Sequence, residues 1–197
     1  MSYDYIVIGG GSAGCILAAE LSAHSSVLLL EAGPHAETHP ETLSADGYKE
    51  AFINDELMHE RFSVTDDRWG KRRLFMGSGR GLGGSGSINA MVYTRGAKED
   101  FDQWPEGWRW DDVVPTFKAL EGTLRPHRRD PTDWTERCIA AAENGGFRRK
   151  ADLNDGDLSG VLGYEWMSYE GDRRRSSFAA YLQPVLGRPN LTVRTGA

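Results

Sequence analysis

The first residues with a chemical pattern are the glycines near the N-terminus. Gly9, Gly11 and Gly14 fit the spacing G-x-G-x-x-G, at the point where an apolar run gives way to a helical pattern. The first glycine permits a tight turn, the second lets a pyrophosphate approach the backbone, and the third lets the helix pack against the strand. Backbone N–H groups at the start of the helix, at Ser12 and Ala13, then face the phosphate oxygens, whose charge the helix dipole favours.

A carboxylate stands where such a nucleotide site needs one. Glu31, which is followed by Ala32, closes the second apolar run. Its carboxylate can accept hydrogen bonds from ribose hydroxyls and repels a 2′-phosphate. The combination favours a bound nucleotide over a glycine turn without a ligand. It leaves NAD and FAD both open, because both present adenosine and pyrophosphate to these elements.

Three short elements position these residues. Residues 5–8 form an apolar run that predicts a strand covered on both faces. Residues 12–23 carry a helical pattern, and residues 27–30 predict a second buried strand. Together they predict a βαβ unit with a right-handed crossover. Residues 34–78 lack a clean period, which predicts loop with short helical pieces.

A second glycine-rich segment, residues 79–96, breaks every periodic pattern and predicts backbone held close to a ligand. With the first motif, it resembles the glucose–methanol–choline (GMC) oxidoreductases, particularly their choline dehydrogenase-like branch. The resemblance covers the N-terminal portion of that family only. The matching stretches are residues 5–14, 28–34, 79–96, 104–117 and 176–196.

The resemblance implies that the cofactor is FAD. In the family, this second segment lies along the FAD pyrophosphate and beside the flavin ring. Some relatives carry a histidine at the position of Asn89 and attach the flavin covalently through it. Asparagine cannot form that bond, so we predict non-covalent FAD. The residues of this segment expected to contact the cofactor are Arg80, Leu82, Gly83, Gly84, Ser85, Asn89, Ala90, Met91 and Val92.

The function that the resemblance implies is oxidation of an alcohol CH–OH group by hydride transfer to the flavin. The family's catalytic histidine lies near its C-terminus, beyond the matched residues, so we assign no catalytic residue and expect this chain alone to be inactive. The expected partners are a small-molecule alcohol and a complementing C-terminal chain. The alternatives are a non-catalytic FAD-binding fragment or subunit of a split protein, and an NAD-dependent dehydrogenase.

The implied fold is α/β: a Rossmann-like FAD-binding domain with part of a second, α+β substrate-side domain. We expect the first part of the FAD-binding domain at residues 1–121, the partial substrate-side domain at 122–184, and a strand returning to the FAD-binding domain within 185–197. Local patterns further predict a helix at 111–120, although Pro115 makes its start doubtful, and a helix at 133–144 that Asp133 and Glu136 cap. They also predict a strand at 161–169 and a strand at 191–194. Between these strands, Ser176 is expected to cap a short helix that ends before Pro184.

Composition excludes several other classes of protein. A net charge of −6 offers no electrostatic attraction for nucleic acid. We expect no membrane-spanning helix and no secretory signal. Cys15 and Cys138 have no metal or redox spacing, which predicts free thiols in a reducing cytoplasm. His35 and His39 have Glu37 and Glu41 nearby, but the intervening prolines favour a loop and we predict no metal.

Overall fold

The computed structural model of the chain describes residues 2–65 and 67–197. They form two compact units, and each is described by itself. The first unit comprises the chain up to Met91 together with Tyr169–Ala197, and the second comprises Val92–Ser168. Helices and strands are mixed along the chain, in agreement with the expected α/β class. In the part of the chain that the structure describes, no helix is both long and apolar enough to cross a membrane.

The elements are numbered in chain order. The α-helices are α1 (Ser12–Leu21), α2 (Tyr48–Ile53), α3 (Lys98–Phe101), α4 (Trp110–Leu124) and α5 (Asp133–Asn144). The strands are β1 (Tyr5–Ile8), β2 (Val27–Glu31), β3 (Val92–Tyr93), β4 (His127–Arg128), β5 (Arg148–Arg149), β6 (Val161–Leu162), β7 (Trp166–Met167), β8 (Tyr169–Glu170), β9 (Arg173–Arg174) and β10 (Leu191–Thr195). Short 3-10 helices cover Ala36–Thr38, Pro40–Thr42, Asp55–Leu57, Asp67–Trp69, Gly84–Ser87 and Gln183–Val185, and a π-helix covers Phe178–Leu182.

The first unit is built on a parallel sheet with the strand order β1-β2-β10. In the central strand, Val27 is opposite Tyr5 on one side and Leu191 on the other. Helix α1 connects β1 to β2 and buries Cys15 against the sheet in a core that also contains Phe178. The predicted strand, turn, helix and strand are therefore confirmed. Strand β10 belongs to the same sheet as β1 and β2, although it lies far from them in sequence.

One expectation about β1 is wrong. The apolar run predicted a strand covered on both faces, but Ile6 is 59% exposed and Ile8 is 86% exposed. Among the described residues, β1 pairs only with β2 and forms the edge of the sheet. A strand of consecutive apolar residues is buried on both faces only where other elements pack on both faces of its sheet. A run of four residues does not show whether such elements are present.

Helix α1 ends at Leu21, two residues before the predicted end. Side chains that precede β10 bind the backbone at this end of the helix. Arg188 Nη1 donates to the carbonyl of Ala19 at 2.5 Å, and Asn190 Nδ2 donates to the carbonyl of Ser22 at 2.8 Å. A cation at a helix C-terminus also complements the helix dipole. These contacts come from distant sequence, so the local pattern could not reveal them.

The segment from residue 34 to 78 contains short helices joined by loops, as predicted. Its small core of Ala51, Leu57 and Met58 also contains Ile88 from the second glycine-rich segment. The backbone N–H of Arg80 donates to the carbonyl of Leu57 at 2.8 Å. This region therefore supports the glycine-rich segment from one side.

After β9, Ser176 acts as a partial helix cap. Its Oγ accepts from the backbone N–H of Ala179 at 3.3 Å. The helix that follows is a π-helix, and a 3-10 turn continues through Pro184 to Val185. The predicted cap is confirmed. The predicted end before Pro184 is confirmed as well, because the π-helix ends at Leu182 and the proline lies in a separate 3-10 helix. Proline is tolerated there because it lies in the first turn of the 3-10 helix, where a free N–H is not required.

The second unit contains an antiparallel sheet with the order β3-β7-β4 and a separate parallel pair, β5 and β6. The single strand predicted at 161–169 is wrong, because this stretch divides into β6, β7 and β8, which pair with different partners. Gly163 marks the first break: a Cβ there would lie 2.5 Å from the carbonyl oxygen of Lys150. Aromatic content indicated β structure correctly but not where each pairing stops.

Helix α4 is longer than the predicted 111–120, whereas α5 spans the predicted residues 133–144 and differs only in its cap. Helix α4 begins at Trp110, so Pro115 lies inside the helix and does not mark its start. Pro115 removes one hydrogen bond to the carbonyl of the exposed Asp111, which water can replace. Helix α5 is capped by Thr132, whose Oγ1 accepts from Thr135 N–H at 3.2 Å. The predicted capping pair is wrong, because Glu136 pairs with Arg149 instead.

The compact units differ in extent from the predicted domains. The second unit begins at Val92 rather than residue 122 and ends at Ser168 rather than residue 184. Helix α4 belongs to it because Glu121 binds Arg95 and Tyr93, which lie at its start. The identification of these units with FAD-binding and substrate-side domains stays a prediction.

An ion pair holds the second unit together. Arg95 Nε donates to Glu121 Oε1 at 2.5 Å and Arg95 Nη2 donates to Glu121 Oε2 at 2.6 Å, with both side chains less than a fifth exposed. Tyr93 OH donates to the same carboxylate at 2.8 Å. Burial acts to raise the pKa of Glu121, but the hydrogen bonds from Arg95 and Tyr93 outweigh it and hold the pKa below its ordinary value.

We expect Glu121→Gln to lower the free energy of unfolding of the second unit by about 1–3 kcal/mol, because it leaves a half-buried guanidinium without its charge partner. A carboxylate with a lowered pKa stabilises the fold above its ordinary pKa of 4.5 and loses that effect as the pH falls. The difference between wild type and variant should therefore shrink below about pH 4.5 in urea denaturation. Glu106→Gln, at an exposed site, is the control, and an equal effect there would contradict the assignment.

Candidate nucleotide-binding site

The first glycine turn joins β1 to α1 with no side chain in the way. The backbone turns at Gly9 with φ of 93°. A Cβ on Gly14 would lie 1.9 Å from the carbonyl oxygen of Gly9, so only glycine lets the helix begin this close to the strand. Helix α1 has no side-chain cap at its N-terminus, and Ser12 and Ala13 are exposed there. Its first N–H groups are thus available to phosphate oxygens.

A thiol helps to fix this turn. Cys15 Sγ donates to the carbonyl of Gly10 at 3.1 Å. Complete burial raises the pKa of the Cys15 thiol to about 11, so it stays protonated and remains a donor at neutral pH. Cys15 has a structural contact in the turn, in keeping with the free thiol expected from the sequence.

The second glycine-rich segment lies directly against the first turn. Gly83 N–H donates to the carbonyl of Gly10 at 2.7 Å. A Cβ on Gly84, whose φ is 54°, would lie 2.8 Å from the Cα of Gly11. The two segments are separated by about seventy residues in sequence, yet their backbones are in contact. A ligand lying along one of them therefore also lies beside the other.

The carboxylate of Glu31 joins the two segments. Its Oε2 accepts from the N–H of Gly10 at 2.6 Å. Its Oε1 accepts from the N–H of Gly33 at 2.7 Å and from the N–H of Gly81 at 3.0 Å. The side chain is 6% exposed, so these bonds are shielded from water. With three N–H groups bound, the carboxylate keeps about one further acceptor position, which is compatible with a ribose hydroxyl.

A cavity of about 500 Å³ opens at the residues that follow Glu31 in sequence. Ala32 and Arg80 contribute to its wall, and Arg80 Nη2 donates to the carbonyl of Ala32 at 2.8 Å. Its volume lies in the range of small-molecule sites. The remaining lining residues are Gly33, Pro34, His35, Thr38, Glu56, Thr195 and Gly196.

At the far end of the second segment, Asn89 organises the backbone. Its Oδ1 accepts from the N–H of Met91 at 2.9 Å and from Nη1 of Arg174 at 2.8 Å. Met91 has φ of 63°, a left-handed conformation that costs a residue with a side chain about 1–2 kcal/mol. The hydrogen bond from Asn89 compensates part of that cost. Asn89 and Ala90 are exposed, whereas Met91 is buried.

The first unit brings together nearly all the residues predicted to bind the cofactor. Leu82 is buried in the core, and Ser85 Oγ accepts from the N–H of Gly79 at 3.0 Å. Val92 belongs to the second unit. The sequence analysis missed Gly10, Gly33 and Gly81, which donate to Glu31. Gly10 and Gly81 lie within the two glycine-rich segments and Gly33 follows Glu31 by two residues, but their common acceptor is evident only from the fold.

The pair of histidines near residue 35 is engaged in protein contacts. The His35 ring lies edge-on to Phe178, with 5.7 Å between ring centroids. His39 Nδ1 lies 3.3 Å from Glu41 Oε1 and its Nε2 lies 3.5 Å from Glu56 Oε2. In residues 2–65 and 67–197, no group of three or more His, Cys, Asp or Glu side chains has an arrangement that could hold a metal ion.

A parallel sheet, a glycine turn into an uncapped helix and an acidic residue at the end of the second strand define a nucleotide-binding protein of the Rossmann-like α/β class. The sequence then specifies the family: residues 3–197 match the family described as GMC oxidoreductase. The chain belongs to the GMC oxidoreductase family, as the resemblance implied.

Similar proteins agree with this assignment. The chain is 34% identical to the "Alcohol dehydrogenase (acceptor)" of Pseudomonas putida, over 99% of this chain and 39% of that protein. It is 35% identical to an "Oxygen-dependent choline dehydrogenase" of Sinorhizobium fredii, over 97% of this chain and 38% of that protein. The structure matches pyridoxine 4-oxidase from Mesorbium loti with a TM-score of 0.85 at 30% identity, over 99% of this chain and 42% of that one. The chain thus spans about two fifths of the length of these relatives.

We expect Glu31→Gln to lower the free energy of unfolding of the first unit by about 1–3 kcal/mol. Glutamine keeps one acceptor oxygen and turns an NH2 group towards at least one of the N–H groups that the carboxylate bound. Urea denaturation followed by circular dichroism measures the change. Glu37→Gln removes an exposed carboxylate nearby and serves as the control. Equal stability of the two variants would show that the buried carboxylate does not hold the segments together.

We expect Gly84→Ala to separate the two glycine-rich segments, because the new Cβ would overlap the backbone of Gly11. The left-handed backbone alone costs about 1–2 kcal/mol with alanine, and the overlap adds to it. Gly187→Ala is a matched control, since a Cβ there meets no described atom within 4 Å. Thermal denaturation should show a lower midpoint for Gly84→Ala only. A midpoint like that of the control would contradict the close approach.

Proposed function

We propose that this chain is the FAD-binding part of a GMC-type oxidoreductase that oxidises the CH–OH group of an alcohol. The observation that carries the proposal is the contact between the two glycine-rich segments, through Gly83 and Gly10 and through Glu31. An FAD molecule presents a pyrophosphate between adenosine and flavin, and two adjoining stretches of bare backbone suit such a ligand. Members of the family are FAD flavoproteins.

The described residues fit FAD in three places. The N–H groups at Ser12 and Ala13 would hold the pyrophosphate, because the helix N-terminus lacks a side-chain cap. The remaining acceptor position of Glu31 would bind a ribose hydroxyl, and the cavity beside Ala32 would receive the adenine. The exposed backbone around Asn89 and Ala90 would face the flavin. A residue larger than glycine at position 84 would push the second glycine-rich segment away from the start of helix α1.

When bound, FAD supplies the hydride acceptor for alcohol oxidation. The residues of this chain would bind and orient it, and Asn89 gives a non-covalent site because it lacks the imidazole that attaches flavin in some relatives. The proton-handling base is proposed to come from a complementing C-terminal segment, a proposal supported by the greater length of the relatives. The substrate is proposed to be a small alcohol. A cytoplasmic location is proposed from the two free cysteines.

The expected outcome of an FAD titration is saturable binding with a change in flavin fluorescence, and competition by ADP, which shares the adenosine and pyrophosphate. NAD should not match FAD in affinity. Glu31→Gln should weaken FAD binding, whereas Glu37→Gln should not. Acid precipitation should leave the flavin in the supernatant, because no covalent bond retains it. Equal affinity for NAD would favour the dehydrogenase alternative, and flavin in the pellet would contradict non-covalent binding.

A second experiment separates the oxidoreductase from a non-catalytic FAD-binding fragment. The FAD-loaded chain is mixed with an alcohol, first alone and then with the C-terminal part of a GMC relative. Loss of flavin absorbance only in the presence of the second part would support a complementing chain. Loss of absorbance with this chain alone would contradict the assignment of catalytic residues to the missing part. No reaction in either mixture would favour the non-catalytic alternative.

A further inference from the structure

A buried arginine beside the second glycine-rich segment has no charge partner. Arg174 is 2% exposed, and its Nε and Nη2 atoms are buried without a hydrogen-bond partner in the described structure. Burying a guanidinium without a carboxylate is unfavourable, because the charge loses its hydration. Burial lowers the pKa of Arg174 to about 10, still high enough to keep the charge at neutral pH. A residue kept under such a penalty calls for a specific explanation.

The side-chain hydrogen bonds that Arg174 makes in the described structure all lead to one segment. Its Nη1 donates to Asn89 Oδ1 at 2.8 Å and to the carbonyl of Gly86 at 3.2 Å. Its backbone N–H donates to the carbonyl of Leu43 at 2.9 Å, which fixes the arginine to the body of the first unit. Arg174 therefore connects a rigid support to the end of the glycine-rich segment.

The acceptor that Arg174 binds has a second function. Asn89 Oδ1 also accepts from the N–H of Met91, and Met91 adopts the left-handed conformation. If the Asn89 amide rotates, both hydrogen bonds are lost together. A charged donor forms the stronger of such bonds and fixes the amide orientation. The guanidinium thereby sets the backbone path from Asn89 to Met91, although among the described residues its hydrogen bonds reach only Asn89 and Gly86.

We propose that Arg174 is a positioning residue for the cofactor site, acting through Asn89 to hold the backbone of residues 89–91 in the conformation that receives the flavin. This inference rests on the proposed function, because it takes that segment to bind FAD. It assigns Arg174 no direct contact with FAD, since its nitrogen atoms without partners are enclosed.

The test is a double-mutant cycle of Arg174→Met and Asn89→Leu, with FAD affinity measured by fluorescence titration. Each single substitution should weaken FAD binding about tenfold, which corresponds to one charge-assisted hydrogen bond. The double variant should also bind about tenfold more weakly than wild type, because both changes break the same connection. Arg173→Met, at the exposed neighbour in β9, should bind like wild type. A hundredfold loss in the double variant, or unchanged affinity in Arg174→Met, would overturn the proposal.

Hydrogen exchange of the Met91 amide in the FAD-free chain gives a readout that does not depend on the cofactor. Exchange should be about tenfold faster in Arg174→Met and Asn89→Leu than in wild type or Arg173→Met. If Arg174→Met does not fold, Arg174→Lys takes its place in the same cycle. Absence of FAD binding by wild type would count against the proposed function, while the exchange rates still decide the role of Arg174. Equal exchange in all variants would overturn that role.

Discussion

The structure of the first unit depends on one buried carboxylate that accepts three backbone N–H groups. Glu31 ends the central strand, and its oxygens bind Gly10, Gly33 and Gly81. A carboxylate buried among backbone N–H groups replaces the water that it loses with charge-assisted hydrogen bonds. The three glycines belong to separate loops, so the same interaction sets the relative positions of the loops. Contacts within the protein therefore hold the proposed site together.

This arrangement relates the core of the first unit to its surface. The core contains Cys15, Leu82 and Phe178. Cys15 hydrogen-bonds to Gly10 of the first glycine turn, and Leu82 lies within the second glycine-rich segment. Phe178 begins the helix that Ser176 caps. The packing of these core side chains thus holds the glycine backbone in place, since glycines have no side chains of their own to pack. Bare backbone can approach a pyrophosphate only if the layer below it is rigid. In this unit, the same loops contribute side chains to the apolar core and backbone N–H groups to the proposed binding surface.

The sequence predicted the elements whose signals are local. Apolar patterns predicted elements at residues 5–8, 12–23, 27–30 and 191–194, and the structure has β1, α1, β2 and β10 at these places, with ends that differ by no more than two residues. The resemblance led to the correct family because the two glycine motifs are distinctive. Three features could not be predicted: the exposure of Ile8, the division of residues 161–169 into three strands, and the cap at Thr132. The first two depend on neighbours distant in sequence. The third depends on a choice between adjacent capping residues. The triple contact of Glu31 was missed for the same reason, since Gly81 lies fifty residues away.

The position of β10 in the sheet has a consequence for how the chain is made. The central strand β2 is flanked by β1 from the beginning of the chain and by β10, which ends at Thr195. During synthesis, β2 therefore has one edge unpaired until β10, which follows it only at Leu191, has been made. Parallel pairing across such a long loop is slow, because the entropy of closing the loop is lost before contacts form. An unpaired apolar strand can meanwhile join other chains, so a chaperone that covers it would raise the yield of folded protein.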